Sequence, residues 1–269
     1  MVLRILKMAK KYSIITVNLN NNEGLKRTIQ SVIKQTSDVF EYIIIDGASN
    51  DGSTDIINRY ADHIDKWVSE PDTGVYNAMN KGINLATGTY LLFLNSGDTL
   101  IEETTIEHIV PYLETIETDI VYGDLRFDSG IENEVYHYPD KLTFEFMYNH
   151  SLGHPATFIH KKLFRHLGGY EEDYPICADW VFFTKAICLH NASYRHVPFV
   201  VANFTTDGMS SGVENAQKVG NERKRALDGP FKHLTESHEN YLRLKKQMDS
   251  LMRSKPYRFL SFIGLPKYR

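Results

Sequence analysis

Two carboxylates stand where apolar runs give way to polar turns. Asp46 closes the run Tyr42 to Asp46 and precedes Gly47, and Asp98 follows the run Tyr90 to Asn95 in the turn Asn95-Ser96-Gly97-Asp98. An ionised aspartate is an acceptor only, so at the end of a strand Asp46 could take hydrogen bonds from a base N–H or from ribose hydroxyls. As a hard oxygen ligand, Asp98 could bind Mg²⁺ or Mn²⁺ bridging two phosphates. Both residues are also ordinary turn formers, and each turn is satisfactory without a ligand. Asp51 and Ser53 are better read as the turn and cap of a helix beginning near Thr54.

Position in the fold decides between such readings, because an open parallel sheet binds ligands beyond the carboxyl ends of its strands. Tyr12 to Asn18, Tyr42 to Asp46, Trp67 to Glu70, Tyr90 to Asn95 and Asp119 to Tyr122 read as strands, several of them apolar throughout as double coverage requires. Between them Leu25, Ile29, Val32 and Ile33 share one helical face, and Val75, Met79 and Ile83 share another, with Gly88 as a stop. This alternation predicts an α/β sheet with right-handed crossovers. The strand ends then bring forward Asn18 to Asn22, Asp46 to Ser53, Glu70 to Gly74 and Asn95 to Asp98. After Asp124 a hairpin is predicted over Leu125 to Tyr138, a helical turn over Phe144 to Tyr148, and a strand over Ala156 to His160 leading into a helix to Leu167. A helix over Ala178 to His190, a strand near Val197 to Phe204 and a polar helical region through about Gln247 complete the reading.

The chain has 269 residues, 42% hydrophobic and 24% charged, enough for one large domain with an appendage. Thirty basic against 34 acidic residues give a net charge of -4, without the basic field of a nucleic-acid binder. Met1 to Lys11 is too broken by charge for a secretory leader, and no run approaches the ~18 apolar residues of a membrane helix. Cys177 and Cys188 lie in no metal or redox pattern and are expected to be buried cytoplasmic thiols. No GxxxxGK[ST] phosphate loop occurs, which disfavours a P-loop NTPase.

Four ordered segments together resemble family 2 of the GT-A glycosyltransferases, especially its bacterial polysaccharide-assembly members. SIITVNLNNNEGLKRTIQSVIKQT is similar to its first strand and helix, and IIIDGASNDGSTDII to its nucleotide-binding turn. EPDTGVYNAMNKGINLATGTYLLFLNSGDTL resembles the stretch ending in its DxD site, and HPATFIHKKLFRHLGGYEEDYPICADWVFF its acceptor-side segment, the whole covering about Tyr12 to Ser211. The resemblance implies a GT-A, Rossmann-like, mostly parallel sheet flanked by helices, with a C-terminal helical appendage. A catalytic domain would span residues 1–211, its nucleotide-sugar half about 12–124 and its acceptor half 125–211, with residues 212–269 as the appendage and a basic amphipathic tail.

The resemblance also implies roles. Asp46 would contact uracil or ribose, with Asn18, Asp72, Asn80 and Asn95 on the nucleotide, and Asp98 on Mg or Mn and the diphosphate. Asp179 would be the general base; it opens an apolar helix, where burial raises a carboxylate's pKa and the helix N-terminus opposes the shift. Relatives show Asp-x-Asp-Asp where this chain has Asn95-Ser96-Gly97-Asp98, so two usual carboxylates are absent. His154 and Trp180 would lie on the acceptor side, the first toward a phosphate or sugar hydroxyl. Trp180 and Tyr76 are stacking candidates for a base or sugar ring, or core residues.

The implied reaction is transfer of a sugar, hexosyl or N-acetylhexosaminyl, from a nucleoside-diphosphate donor, UDP-sugar foremost, to a saccharide or lipid-linked saccharide acceptor, with inversion. It would proceed in the cytoplasm or at the inner membrane face. A sugar-phosphate nucleotidyltransferase would need a glycine- and arginine-rich loop near the N-terminus, where this chain has asparagines. An inactive sugar-nucleotide-binding scaffold is the alternative from a different class. From Tyr241 to Arg269 eight basic residues face the single acid Asp249, with Leu251, Met252, Phe259, Leu260 and Phe262 interleaved, so the tail is a candidate for peripheral contact with an anionic membrane.

Overall fold

The structure, a computed structural model, describes residues 10–115, 117–128, 133–205 and 215–254. Its strands and helices follow in the order β1 (Tyr12–Asn18), α1 (Asn22–Ile33), β2 (Phe40–Asp46), α2 (Ser53–Arg59), β3 (Lys66–Ser69), α3 (Val75–Leu85), β4 (Tyr90–Phe93), β5 (Thr99–Leu100), α4 (Thr105–Thr115), β6 (Ile120–Asp128), β7 (Asn133–Tyr136), α5 (Phe144–Asn149), β8 (Thr157–His160), α6 (Lys161–Leu167), α7 (Ala178–Thr184), β9 (Tyr194–Thr205), α8 (Ala216–Asp228) and α9 (Lys232–Arg253). The chain forms two compact units, residues 1–222 and 223–269.

One sheet organises the first unit, in the order β3-β2-β1-β4-β8-β6-β9-β5, with β7 paired to β6. Its first four strands are parallel. Beyond β4 it becomes mixed, because β8 runs antiparallel to both β4 and β6 while β9 runs parallel to β6. The expected parallel sheet is therefore complete in the first half and interrupted in the second.

Every residue of β1 is buried, Ser13, Thr16 and Asn18 included, as a central strand covered on both faces requires. Asn21 caps α1 by accepting from the Gly24 amide, and Leu25, Ile29 and Val32 are buried along one face. Each such side chain contributes roughly 1.5–3 kcal/mol of transfer free energy. α3 packs unusually close to the sheet: a Cβ at Gly82 would lie 2.5 Å from Ile15 Cγ2. Two elements were not predicted, the short β5 and α4. Pro111 lies inside α4 and reads in sequence as a breaker, yet Ile106, Ile109 and Leu113 keep a buried face through it. The helix predicted over Ala178 to His190 is α-helical to Thr184 and then takes one π segment, Lys185–Leu189. Neither cysteine is in a disulfide; Cys177 is buried and Cys188 partly so.

At the amino ends of the strands, Glu41 is a buried carboxylate. Lys66 Nζ donates to its Oε2 at 2.9 Å, and Ser13 Oγ, Thr87 Oγ1 and the Gly88 amide donate to Oε1 at 2.7, 2.9 and 3.2 Å. Burial alone would raise this carboxyl, but the bonds from Lys66, Ser13 and Thr87 outweigh it and hold the pKa at about 2. A depressed carboxylate stabilises the fold above its unfolded pKa, and that stability is lost as pH falls through the folded value, here between about 4.5 and about 2. Glu41→Gln is expected to lower stability at pH 7 by about 3 kcal/mol. It should also flatten the loss between those pH values, read by urea unfolding at each pH. An unchanged acid slope would exclude Glu41 as its source.

Candidate functional site

At the carboxyl ends of β1, β2 and β3, Asp46 gathers three chain segments. It is fully buried. Oδ1 accepts from Asn18 Nδ2 at 2.8 Å and Ser49 Oγ at 2.6 Å, and Oδ2 from Ser69 Oγ at 2.6 Å and the Ser49 amide at 3.0 Å. Burial opposes the charge, and the bonds from Ser49, Ser69 and Asn18 overcome it, leaving the carboxyl below its usual range. Four internal bonds occupy this carboxylate, so Asp46 shapes the floor of the site instead of projecting into it. That corrects the expected direct contact with a base or ribose.

Other polar groups lie around Asp46. Asn18 keeps its Oδ1 buried with no partner, although its Nδ2 is held by Asp46 and Ser49. Asp72 is half-buried; its Oδ1 accepts from the Gly74 amide at 3.0 Å, and a Cβ on Gly47 would lie 2.5 Å from its Oδ2. Only glycine at 47 admits that approach. Leu19 also reaches over Gly47 and is 57% exposed, an apolar surface beside a carboxylate that no motif announced.

After β4, Asn95 to Asp98 form a closed turn. The Asp98 amide donates to Asn95 O at 2.9 Å, and the Asn95 amide donates back to Asp98 Oδ2 at 3.1 Å. Gly97 takes φ +111°, and its amide donates to Thr28 Oγ1 at 2.9 Å, which in turn donates to Asp98 O at 2.7 Å. Asp98 is buried, and Asn95 Oδ1 is buried without a partner. Among the described residues no group of three or more His, Cys, Asp or Glu is placed to hold a metal. A magnesium-type ion needs only one or two protein carboxylates when substrate phosphates complete its shell. Asp98 and the orphaned Asn95 oxygen, both hard donors in one turn, fit that smaller demand.

The pairing of β4 with β1 continues past Phe93, since the Leu94 and Ser96 amides donate to Ile15 O and Val17 O. Asn95 therefore projects on the face of Phe93. On that face Phe93 packs against His154 and Tyr170, with ring centres 5.6 and 5.7 Å away. There too stands Asp179, in the first turn of α7. Its Oδ1 accepts from Tyr76 Oη at 2.7 Å, its Oδ2 lies 3.6 Å from His154 Nδ1, and its side chain is 21% exposed. His154 is buried, with Nε2 bonded to Tyr170 Oη at 2.9 Å. Burial pushes this imidazole below its ordinary value, partly opposed by the charge of Asp179, so it is neutral at pH 7. His154 thus meets the carboxylate from within and does not stand at the surface.

Two other expectations change. Asn80 does not line the pocket around Asp46: its Oδ1 accepts from the Tyr170 amide at 2.8 Å and its Nδ2 donates to Tyr170 O at 2.9 Å. It brackets α3 to the loop after α6, where Glu172 also accepts from Thr73, Asn77 and Asn80. Trp180 is 1% exposed and donates to Met147 O, which makes it part of the core and removes it from the acceptor surface. Sequence reasoning missed Tyr170, the Tyr76 hydroxyl and Glu222, which accepts from the Ile176 and Cys177 amides at 3.0 and 2.9 Å. Spacing carries no signal for them, because each acts on residues tens of positions away.

The family model described as "Glycosyl transferase family 2" matches residues 13–165. A PGL/p-HBAD biosynthesis glycosyltransferase of Mycobacterium bovis is 34% identical over 211 residues, 74% of this chain and 78% of the relative. The crystal structure of Staphylococcus aureus TarS 1-349 with UDP superposes with a TM-score of 0.62 at 20% identity, over 72% of this chain and 60% of that one, so the chain spans less than two thirds of TarS 1-349. The mannosyltransferase PcManGT of Pyrobaculum calidifontis, in complex with GDP-Man and Mn²⁺, superposes at 0.59 and 15% identity over 95% of this chain and 84% of that one. These structural likenesses establish the fold.

Proposed function

The chain belongs to glycosyl transferase family 2 and is a glycosyltransferase of the GT-A fold, and from that premise we propose that it moves a sugar from a nucleoside diphosphate, UDP foremost, to a hydroxyl acceptor with inversion. The observation that carries the mechanism is Asp179, a partly exposed carboxylate with one oxygen fixed by Tyr76 and the other beside a neutral imidazole, on the sheet face to which Asn95 belongs. As the acceptor oxygen attacks the anomeric carbon, its proton passes to Asp179, and the bond to the diphosphate breaks with its electron pair going to the leaving oxygen. A single displacement inverts that carbon.

On the donor side, Asp72 is the carboxylate offered to ribose or base, with Leu19 as an apolar surface for the base and Asn18 Oδ1 as a buried acceptor awaiting a donor. The UDP complex of TarS makes uridine nucleotides the first to test. Asp98 and Asn95 Oδ1 would hold a divalent cation, which would supply positive charge beside the departing diphosphate. Calorimetry should show UDP binding strengthened by Mn²⁺ or Mg²⁺ in the wild type and insensitive to metal in Asp98→Ala; equal affinity with chelator in the wild type would remove the metal from this site.

Asp179→Asn is expected to keep UDP affinity and lower turnover by ~10²-fold or more. Turnover near the wild-type rate would place the base elsewhere.

For the acceptor we infer a saccharide or lipid-linked saccharide in cell-surface polysaccharide assembly at the cytoplasmic membrane face. The M. bovis relative is named for PGL/p-HBAD biosynthesis. In the second unit, α9 exposes Tyr241, Leu244, Met248, Leu251 and Met252 at helical spacing, alongside Arg243, Lys245, Lys246 and Arg253. This supports the tail as a peripheral anchor; its continuation, residues 255–269, lies outside the described residues. No described helix is long and apolar enough to cross a membrane. In co-sedimentation, the full chain should pellet with anionic vesicles at low salt and L244S/M248S/L251S should not. Equal, negligible pelleting of both would exclude the anchor.

A further inference from the structure

Tyr76 has one hydroxyl proton and two acceptors. Its Oη lies 2.9 Å from the Ile176 carbonyl oxygen and 2.7 Å from Asp179 Oδ1. The tyrosine is buried, its ring 5.4 Å from that of Tyr170, so bulk water does not substitute for either acceptor.

A carbonyl only accepts, whereas a carboxyl group accepts when ionised and donates when protonated. While Asp179 is a carboxylate, the Tyr76 proton is best placed on it, since a hydrogen bond to a charged oxygen is the stronger. When Asp179 holds a proton, its O–H can donate to the phenol oxygen, and the phenol can turn its own proton to Ile176 O. In the first state the Ile176 oxygen gives up the phenol as its donor; in the second, Asp179, Tyr76 and Ile176 O form one continuous chain of bonds. Burial, and after it the neighbouring Asp179 charge, puts the phenol well above its ordinary value, so Tyr76 keeps its proton throughout.

Building on the reading of Asp179 as the base, we propose that Tyr76 is a positioning residue that switches its hydroxyl proton between the Ile176 carbonyl and Asp179, holding the base in both of its protonation states. No proton leaves the tyrosine. The one transferred proton goes from the acceptor hydroxyl to Asp179 as the new C–O bond forms and the bond to the diphosphate breaks. Ile176 belongs to the device because its amide, with that of Cys177, is pinned by Glu222 of α8, which fixes where the carbonyl stands. The other ionisable groups around Asp179 are His154 at Oδ2, Tyr170 behind His154, Cys177 on the preceding turn, and Tyr138 in the segment after β7. All of these are common to the proteins compared below.

The test is the pH dependence of kcat for Tyr76→Phe and for the full chain carrying 3-fluorotyrosine at 76, which keeps the ring and strengthens the donor. With Tyr76→Phe the carboxylate loses its charge-assisted bond, so the acid limb should move up by about one pH unit, with kcat down ~10-fold below it and the donor KM unchanged. With 3-fluorotyrosine the limb should move down. Profiles that superimpose after scaling, or limbs that shift in the same direction, would overturn the proposal by reducing Tyr76 to packing. The 3-fluorotyrosine arm stands even if Tyr76→Phe fails to fold. Asp179→Asn separates the two readings: if it remains active the base is misassigned, and if it is inactive while both Tyr76 proteins keep the wild-type profile, only the switch fails.

Discussion

A carboxylate removed from water must be met by donors, and at Asp46 that requirement draws the ends of three strands together. Asn18 comes from β1, Ser69 from β3, and Ser49 from the turn that Asp46 itself begins. Leaving such a charge unpaired would cost several kcal/mol, more than any single contact in the loops contributes. The turn therefore has little freedom. Gly47 follows with its amide on Asn18 O, Glu70 closes back onto Asp46 O, and Asp72 is delivered over the bare Gly47 backbone. The proposed donor side is thus held in place by a carboxylate whose oxygens are taken up by the chain's own donors.

The surroundings of Asp179 are assembled differently, from segments remote in sequence and held by side chains instead of ladder pairing. Asn80 of α3 matches both backbone groups of Tyr170, Glu172 collects Thr73, Asn77 and Asn80, and Tyr76 reaches Asp179. α3 is common to all three contacts. Its first turn begins next to Asp72, and its flank carries the bracket to the loop before α7. One helix, seated tightly on the sheet through Gly82, therefore sets the distance between Asp72 and Asp179, the proposed donor contact and the proposed base. That arrangement suits a displacement in which the attacking oxygen and the leaving oxygen must lie on opposite sides of one carbon.

What could be read from the residues follows from how local the cause is. β1, β2 and β4 carry apolar runs, Ile14–Ile15, Ile43–Ile45 and Tyr90–Phe93, because both faces of the sheet are covered, and that pattern survives in sequence without any partner being known. α4 was not predicted; Pro111 disfavours a helix locally, and what offsets it, a continuous buried face, is tertiary. The same division separates the site residues. Asp98 was brought forward by its place after a strand, whereas Asp72, Asn80 and Asp179 took their roles from the family resemblance, and Trp180 was left between a stacking surface and the core. What Asn80 and Trp180 bond to, Tyr170 and Met147, lies 90 and 33 positions away and cannot be inferred from spacing. Asp46 was located correctly and its task misread, since an acceptor at a strand end looks alike whether its donors are a ligand's or the protein's own.

The thinned acidic turn has its own logic. Asp98 is buried, and Asn95 presents a buried oxygen within the same four residues. A second aspartate at 95 would set two like charges in one enclosed turn, which in the absence of a cation forces one carboxyl to stay protonated. With asparagine the oxygen is offered without the charge. The turn can then close through Thr28 and the Asn95 and Asp98 amides before anything binds, with Asn95 Oδ1 left without a partner. Folding is in this way uncoupled from metal, unlike sites whose carboxylates repel until an ion arrives. In the proposed reaction the consequence falls on the leaving group: with one protein carboxylate balancing the cation, more of the cation's charge remains for the departing diphosphate, and more of the ion's affinity must come from the donor's own phosphates.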